Sequence, residues 1–262
     1  MTDYTSVDAK FDRAVEHLEC FEREVDIWLK TNPLVMIPKP KPDGPGEEDL
    51  YFHVKNPIPP RLPVLLGDCI HNFRCALDHL VMALALANRA GLGVRTVAFP
   101  ICSEFRTYHG YEEGKPPSQP KRWHGACKVR TLRPPAQAFI EGLQPYHRRG
   151  NSWSLVELQE LDNRDKHKVI LALNPEAVAT FVPAPGTTVT YIDPLRLKDG
   201  ARFATITFGP NYSGVKMYPP VPIGIGMEHS NGVGWLDAIG FPKGVLMPHI
   251  GGIIAEAKSL FP

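Results

Sequence analysis

The chain has 262 residues, of which 43% are hydrophobic and 22% charged, a globular composition that excludes wholesale disorder. The 29 Lys and Arg against 28 Asp and Glu give a formal net charge of +1, so whole-chain charge does not indicate a nucleic-acid binder. No apolar run approaches the roughly 18 residues that a membrane span needs, and the polar N-terminus does not resemble a signal peptide. Five cysteines without a Cys-x-x-Cys pair favour a reducing compartment. We therefore expect a cytoplasmic protein with no membrane partner.

The chain begins with a helical pattern and then a proline-rich segment. Apolar residues spaced alternately four and three apart predict an amphipathic helix over residues 7–29. Eight prolines interrupt residues 31–60 and exclude a helix there. Within that segment Leu50–Val54 and Leu34–Ile37 are typical of short paired strands.

Three further helices are predicted before residue 172. Residues 62–90 form the longest, because no proline follows Pro63 until well beyond the apolar run. Residues 134–142 begin with two prolines and read as a short helix. Residues 152–168 read as another, and Ser154 with a glutamate three residues later has the spacing of a capping box.

Beyond residue 172 the pattern changes to the period of strands. The predicted strands are Val178–Val182, Val189–Ile192, Arg202–Phe208 and Val221–Ile225. Asp199-Gly200 is a hairpin-turn signal before the third, and residues 245–261 have a helical pattern. We therefore expect an α+β fold in which an N-terminal helical bundle is followed by a small antiparallel sheet and a C-terminal helix. The predicted domains are 1–172, with the proline-rich insertion at 31–60, and 173–262.

A stripe of polar side chains interrupts the otherwise apolar 62–90 helix. Its six strongly polar members share an arc of roughly 160° on a helical wheel. They are Asp68, His71, Asn72, Arg74, Asp78 and His79. Because the turns before and after the stripe are apolar nearly all round, these groups lie inside the protein and need hydrogen-bonding or ionic partners. Arg74 and Asp78 are four residues apart and can pair locally.

A second polar cluster ends the 152–168 helix. Asp162 and Asp165 continue the face that the preceding leucines define, so the inner surface of this helix becomes acidic in its last turn. An acidic inward end needs a basic partner, and His71, Arg74 and His79 are the candidates. We therefore predict that the two clusters meet in an enclosed hollow, where they form a structural network, a ribonuclease-type site or a metal site.

The segments GDCIHNFRCALDHL, FPI, LQPY and LDNRDKH resemble, in that order, a widespread uncharacterised bacterial family with the motifs GDxxHNxRxxLDH and LDNxDKH. Arg74 and His79, with four residues between them, are also similar to the motif of the HEPN superfamily. That resemblance implies a helical bundle, a homodimer, and a metal-independent endoribonuclease of toxin or defence type. The catalytic residues are then Arg74, His79, His71 and Asp78, supported by Asp68, Asn72, Asp162 and Asp165. Imidazole suits proton transfer at neutral pH, and the guanidinium fork suits phosphate.

A basic, aromatic segment favours RNA as a partner. Residues 106–149 hold nine Lys and Arg against three Glu, a local charge of +6. Tyr108, Tyr111, Trp123 and Tyr146 lie among them and are candidates for stacking on bases. The candidate RNA-binding residues are Lys121, Arg122, Trp123, Lys128 and Arg130. The alternative is a solvated loop that balances the acidic first helix.

Two other classes of protein stay open. A metal-dependent hydrolase has suitable ligands, although no His-Glu-x-x-His spacing exists. Those ligands are Asp68, His71, His79, Asp165 and His167. A non-enzymatic binding protein would use the same polar groups as a structural network. We expect no cofactor and no bound metal. The cysteines are interpreted as buried thiols, with nucleophilic chemistry at Cys75 a minor hypothesis.

Overall fold

The computed structural model describes residues 1–42, 46–88, 97–115, 121–148, 150–167, 173–177, 186–192, 199–209, 223–228 and 235–262. Within these ranges the helices are α1 (Thr5–Lys30), α2 (Arg61–Ala87), α3 (Phe105–His109), α4 (Gly125–Val129), α5 (Pro134–Gly142), α6 (Ser152–His167) and α7 (Met247–Leu260). A π-helical turn, Pro242–Leu246, precedes α7. The strands are β1 (Leu34–Pro40), β2 (Glu47–Val54), β3 (Leu173–Ala177), β4 (Thr187–Tyr191), β5 (Arg202–Phe208), β6 (Ile223–Glu228) and β7 (Trp235–Asp237). The α+β prediction is therefore confirmed.

The strands form two antiparallel sheets. The larger has the order β1-β2-β5-β4 and the smaller the order β3-β6-β7. In the larger sheet Met36 of β1 lies opposite Phe52 of β2, and Leu50 of β2 lies opposite Ala204 of β5. The proline-rich hairpin therefore shares one sheet with strands that follow residue 172. The sequence analysis predicted a single small sheet and did not pair these strands.

The main hydrophobic core lies where α1, α2, α6 and α7 pack together. The apolar stripe predicted for α1 is buried at Val7, Ala14, Leu18, Phe21, Val25 and Trp28. Phe11 of the same stripe is half-buried. Its ring packs edge to face on that of Phe73 in α2, with 5.6 Å between the ring centroids. α2 is buried on most of its circumference because its apolar residues are not confined to one stripe. This helix therefore runs through the middle of the helical layer.

A second, smaller core belongs to the four-stranded sheet. Its buried members are Leu50, Phe52, Phe203, Ala204 and Ile206. On β2 the buried Leu50 and Phe52 alternate with exposed or half-buried residues, as expected of a sheet with one covered face. The half-buried Leu34 packs against both cores. It therefore lies where the sheet meets the helical layer.

Most predicted elements are present, with differences that have local causes. The predicted strand at 178–182 lies outside the described residues. The short helices α3 and α4 were not predicted. The prediction of a capping box at Ser154 is wrong. α6 begins at Ser152, and the Ser154 hydroxyl is hydrogen-bonded to His249 Nδ1 at 2.8 Å. Among the described residues, no helix is both long and apolar enough to cross a bilayer.

Candidate functional site

The two polar clusters meet where α6 crosses α2, as predicted. His71 Nδ1 lies 2.9 Å from Asp162 Oδ1, and Lys166 Nζ lies 2.6 Å from the other oxygen of that carboxylate. Asp162 is buried, whereas the His71 side chain is 38% exposed. The crossing is close because position 67 is glycine. A Cβ there would lie 2.5 Å from Asp165 Oδ1.

His71 connects Asp162 to a thiol. A carboxylate only accepts hydrogen bonds, so we assign the proton of neutral His71 to Nδ1, which leaves Nε2 as an acceptor. Cys75 Sγ lies 3.3 Å from that Nε2. His71 and Cys75 are four residues apart and therefore share one face of α2. The hydrogen-bonded chain runs from Asp162 through His71 to Cys75, and Cys75 is half-buried.

The prediction that the cysteines are buried thiols holds for three of the five. Cys69, Cys102 and Cys127 are buried, whereas Cys20 and Cys75 are half-buried. The prediction is wrong for the last two, because each lies on the side of its helix that the core leaves partly open. Burial raises the pKa of the Cys75 thiol, and Asp78 and Asp162 raise it further against the opposing charges of Lys10 and Lys166.

Arg74 is engaged in a compact internal network. Its Nη1 donates to Asp78 Oδ1 at 2.8 Å, and its Nη2 donates to the carbonyl of Phe99 at 2.9 Å. The backbone N–H of Phe99 donates to the same oxygen of Asp78. The Arg74 side chain is only 10% exposed. This geometry ties the 97–102 segment to α2 and leaves little of the guanidinium for a ligand.

The rest of the stripe does not converge on one point. Asn72 is buried, donates to the Asp68 carbonyl and accepts from Lys10 Nζ of α1 at 3.4 Å. The Asp68 residue is exposed, so the expected enclosed hollow is instead a partly open surface. His79 is half-buried and makes no hydrogen bond within the described part of the chain.

Asp165 is the least favourably placed carboxylate of the cluster. Burial raises its pKa, and the neighbouring charges of Asp68 and Asp162 raise it further. His71 and Lys166 oppose this shift only in part. The cluster therefore carries excess negative charge, which disfavours an anionic ligand.

A second candidate site is a basic groove formed by α3 and the turn before α4. It has a volume of about 370 Å³ and is lined by Arg106, Thr107, Gly110, Lys121, Trp123 and His124. Trp123 is 62% exposed, and Lys121 Nζ lies 5.1 Å from its ring centroid. The backbone N–H of Lys121 donates to His124 Nδ1, which fixes the turn.

Tight packing beneath the groove holds its two walls together. Tyr108 of α3 is buried against Gly125 of α4, where a Cβ would lie 2.5 Å from the tyrosine ring. Tyr146 is half-buried and donates its hydroxyl hydrogen bond to Glu141. The prediction that tyrosines of this segment stack on bases is therefore wrong for Tyr108, which belongs to the core. Of the RNA-binding candidates, Lys121 and Trp123 line the groove, Arg122 and Arg130 are exposed but do not line it, and Lys128 is half-buried.

The described ligands named for the metal alternative are not gathered around one point. The described residues contain no group of three or more His, Cys, Asp or Glu placed to hold a metal ion. The side chain of His167 lies outside the described residues.

The sequence analysis missed two side-chain contacts between helices. Lys10 reaches Asn72 from the polar face of α1, and a lysine on that face carries no pattern that marks it as a partner of another helix. The pair of buried Ser154 and half-buried His249 joins α6 to α7, and burial lowers the pKa of His249. No local signal predicts this pair, because its members are 95 residues apart.

Comparison with known proteins adds no relative from which a role can be transferred: no family model, no curated protein and no solved structure matches the chain.

Proposed function

We propose that this chain is an RNA-directed protein that binds single-stranded RNA in the basic groove. The observation that carries the proposal is the exposed indole of Trp123 with Lys121 over its ring and Arg106 on the facing wall. An open aromatic face beside cations is the arrangement that holds a base by stacking and its phosphate by charge.

The charge distribution along the chain supports the same partner. The segment 106–149 carries +6, so the remaining residues carry −5. An anionic strand is therefore attracted to one part of a nearly neutral protein. The α2–α6 cluster is acidic, so the groove is the better place for a phosphate backbone.

Cleavage of the RNA is a finer hypothesis, as is the homodimer that the HEPN resemblance implies. Arg74 donates to Asp78 and Phe99 and is nearly buried. That geometry favours a structural role for Arg74, so the groove and not the Arg74–His79 motif is the centre of this proposal.

Binding is tested with a short fluorescent oligouridine, followed by anisotropy at fixed low salt. Trp123→Ala is expected to weaken binding by about 1–3 kcal/mol, because one stacked base loses its platform. Lys121→Ala is expected to weaken binding most at low salt, because it removes a phosphate contact.

The matched controls are Tyr51→Ala and Lys39→Ala in the β1–β2 hairpin. There Lys39 Nζ lies 4.2 Å from the Tyr51 ring centroid, so the same kind of cation–aromatic pair is removed from another part of the surface. Both controls are expected to bind like the wild type. Equal weakening by the control and groove variants would overturn the proposal.

The same RNA incubated in EDTA tests the cleavage hypothesis separately. Intact RNA supports a binding role alone. Fragments that appear with the wild type and disappear with folded Arg74→Ala or His79→Ala would establish the HEPN-like nuclease instead. Light scattering of the purified protein tests the homodimer.

A further inference from the structure

The chain from Asp162 through His71 to Cys75 has the order of an activated thiol. The nucleophile lies 3.3 Å from the base, and the base lies 2.9 Å from an orienting carboxylate. We propose that Cys75 is the nucleophile of an acyl-transfer site that takes an activated acyl ester, with an oxygen or sulfur leaving atom. This activity is independent of the groove and of RNA binding.

The three groups are held in place before any substrate arrives. His71 and Cys75 project from one rigid helix, and Asp162 is fixed from a second helix by burial and by its ion pair with Lys166. Sites built on helices keep their geometry better than sites on loops. The partial exposure of Cys75 and His71 leaves a side from which a carbonyl group can approach.

The arrangement is specific to Cys75 among the cysteines. Cys69, Cys102 and Cys127 are buried, and Cys20 is half-buried like Cys75. Within the described residues Cys20 makes no hydrogen bond with an imidazole, so it provides a matched internal control.

The acidic surroundings determine how the thiol reacts. Burial raises the pKa of Cys75, so the resting thiol is protonated and its proton has to leave during attack. His71 Nε2 is the acceptor in reach. The charges of Lys10 and Lys166 favour negative charge on this sulfur, whereas those of Asp78 and Asp162 oppose it.

The reaction balances without any further reactant. The Cys75 S–H proton moves to His71 Nε2 while Sγ attacks the ester carbonyl carbon. The bond from that carbon to the leaving oxygen or sulfur then breaks, and the leaving atom takes the proton from the imidazolium. Water attacks the resulting thioester with His71 again as base, which releases the carboxylic acid and restores the thiol.

The test uses p-nitrophenyl acetate with the full chain, followed by nitrophenolate release and peptide mass spectrometry. The expected result is one acetyl group on the peptide that carries Cys75. His71→Gln is expected to slow acetylation about 100-fold, the usual contribution of a general base. Asp162→Asn is expected to slow it as well, whereas Cys20→Ser is expected to react like the wild type.

Folding is checked by thermal melting, and His71→Gln carries the test because His71 is partly exposed while Asp162 is buried. Acetylation of Cys20 and Cys75 at equal rates would overturn the proposal, as would an unchanged rate in folded His71→Gln. Cys75→Ser is expected to bind oligouridine normally, so failure of the thiol site and failure of the RNA proposal are distinguishable.

Discussion

Arg74 holds two parts of the chain together through oxygens of different kinds. One is the carboxylate of Asp78 on the same helix, and the other is the backbone carbonyl of Phe99. The Asp78 side chain is 37% exposed, whereas that of Arg74 is 10% exposed. The two partners therefore have unequal access to water, and removing one is not equivalent to removing the other.

Asp78→Ala is expected to lower the free energy of unfolding by about 3–5 kcal/mol, because it leaves a buried guanidinium without a counter-charge. Arg74→Met is expected to cost less, about 1–3 kcal/mol, because the remaining carboxylate is partly hydrated and still accepts from Phe99 N–H. Urea unfolding measures both. The control is Glu16→Ala, which breaks the exposed Arg13–Glu16 pair and is expected to change stability by less than about 1 kcal/mol. Equal costs at Arg74 and Asp78 would contradict this account.

The crossing of α2 and α6 shows which part of the site a sequence encodes. The helical wheels predicted that the acidic end of α6 meets the polar stripe of α2, because the 3.6-residue period states which face of each helix is inward. The wheels did not predict that Cys75 completes the chain to His71, or that Arg74 turns to Phe99. Those contacts depend on side-chain rotamers and on a segment that is distant in sequence, and neither is encoded in periodicity.

Asp165 is the position where this crossing is least stable. Its pKa is raised by burial and by nearby carboxylates, so the ionised form is less stable in the folded chain than in the unfolded chain. Asp165→Asn is expected to raise the free energy of unfolding at neutral pH. The gain is expected to shrink as the pH falls through the raised pKa, and to vanish below the ordinary value of 3.8. Urea unfolding over a pH series checks this, and a gain that grows in acid would refute it.

At the scale of the whole molecule, the chain has two hydrophobic cores. The four-stranded sheet that carries the smaller core crosses the expected domain boundary. Several strands were predictable, since β5 has the predicted bounds Arg202–Phe208, whereas β3 and β7 were not predicted. The pairing of β2 with β5 was not, because alternation marks a strand but not its partner. Asp49 bonds Thr205 at 2.7 Å, and these residues are 156 positions apart. Only the folded chain brings them together.

Because the two hydrophobic cores are separate clusters, a destabilising substitution in one core is expected to affect the sheet and the helices differently. Phe52→Ala empties part of the sheet core and is expected to cost about 3–5 kcal/mol within it. Amides of β1, β2, β4 and β5 are then expected to exchange faster while α1 and α2 stay protected. Phe73→Ala, the matched substitution in the helical core, is expected to reduce protection in both parts, because the sheet packs on the helices through residues such as Leu34. Hydrogen exchange measured by mass spectrometry distinguishes the two patterns. Uniform loss of protection in Phe52→Ala would mean that the sheet and the helices unfold as one unit.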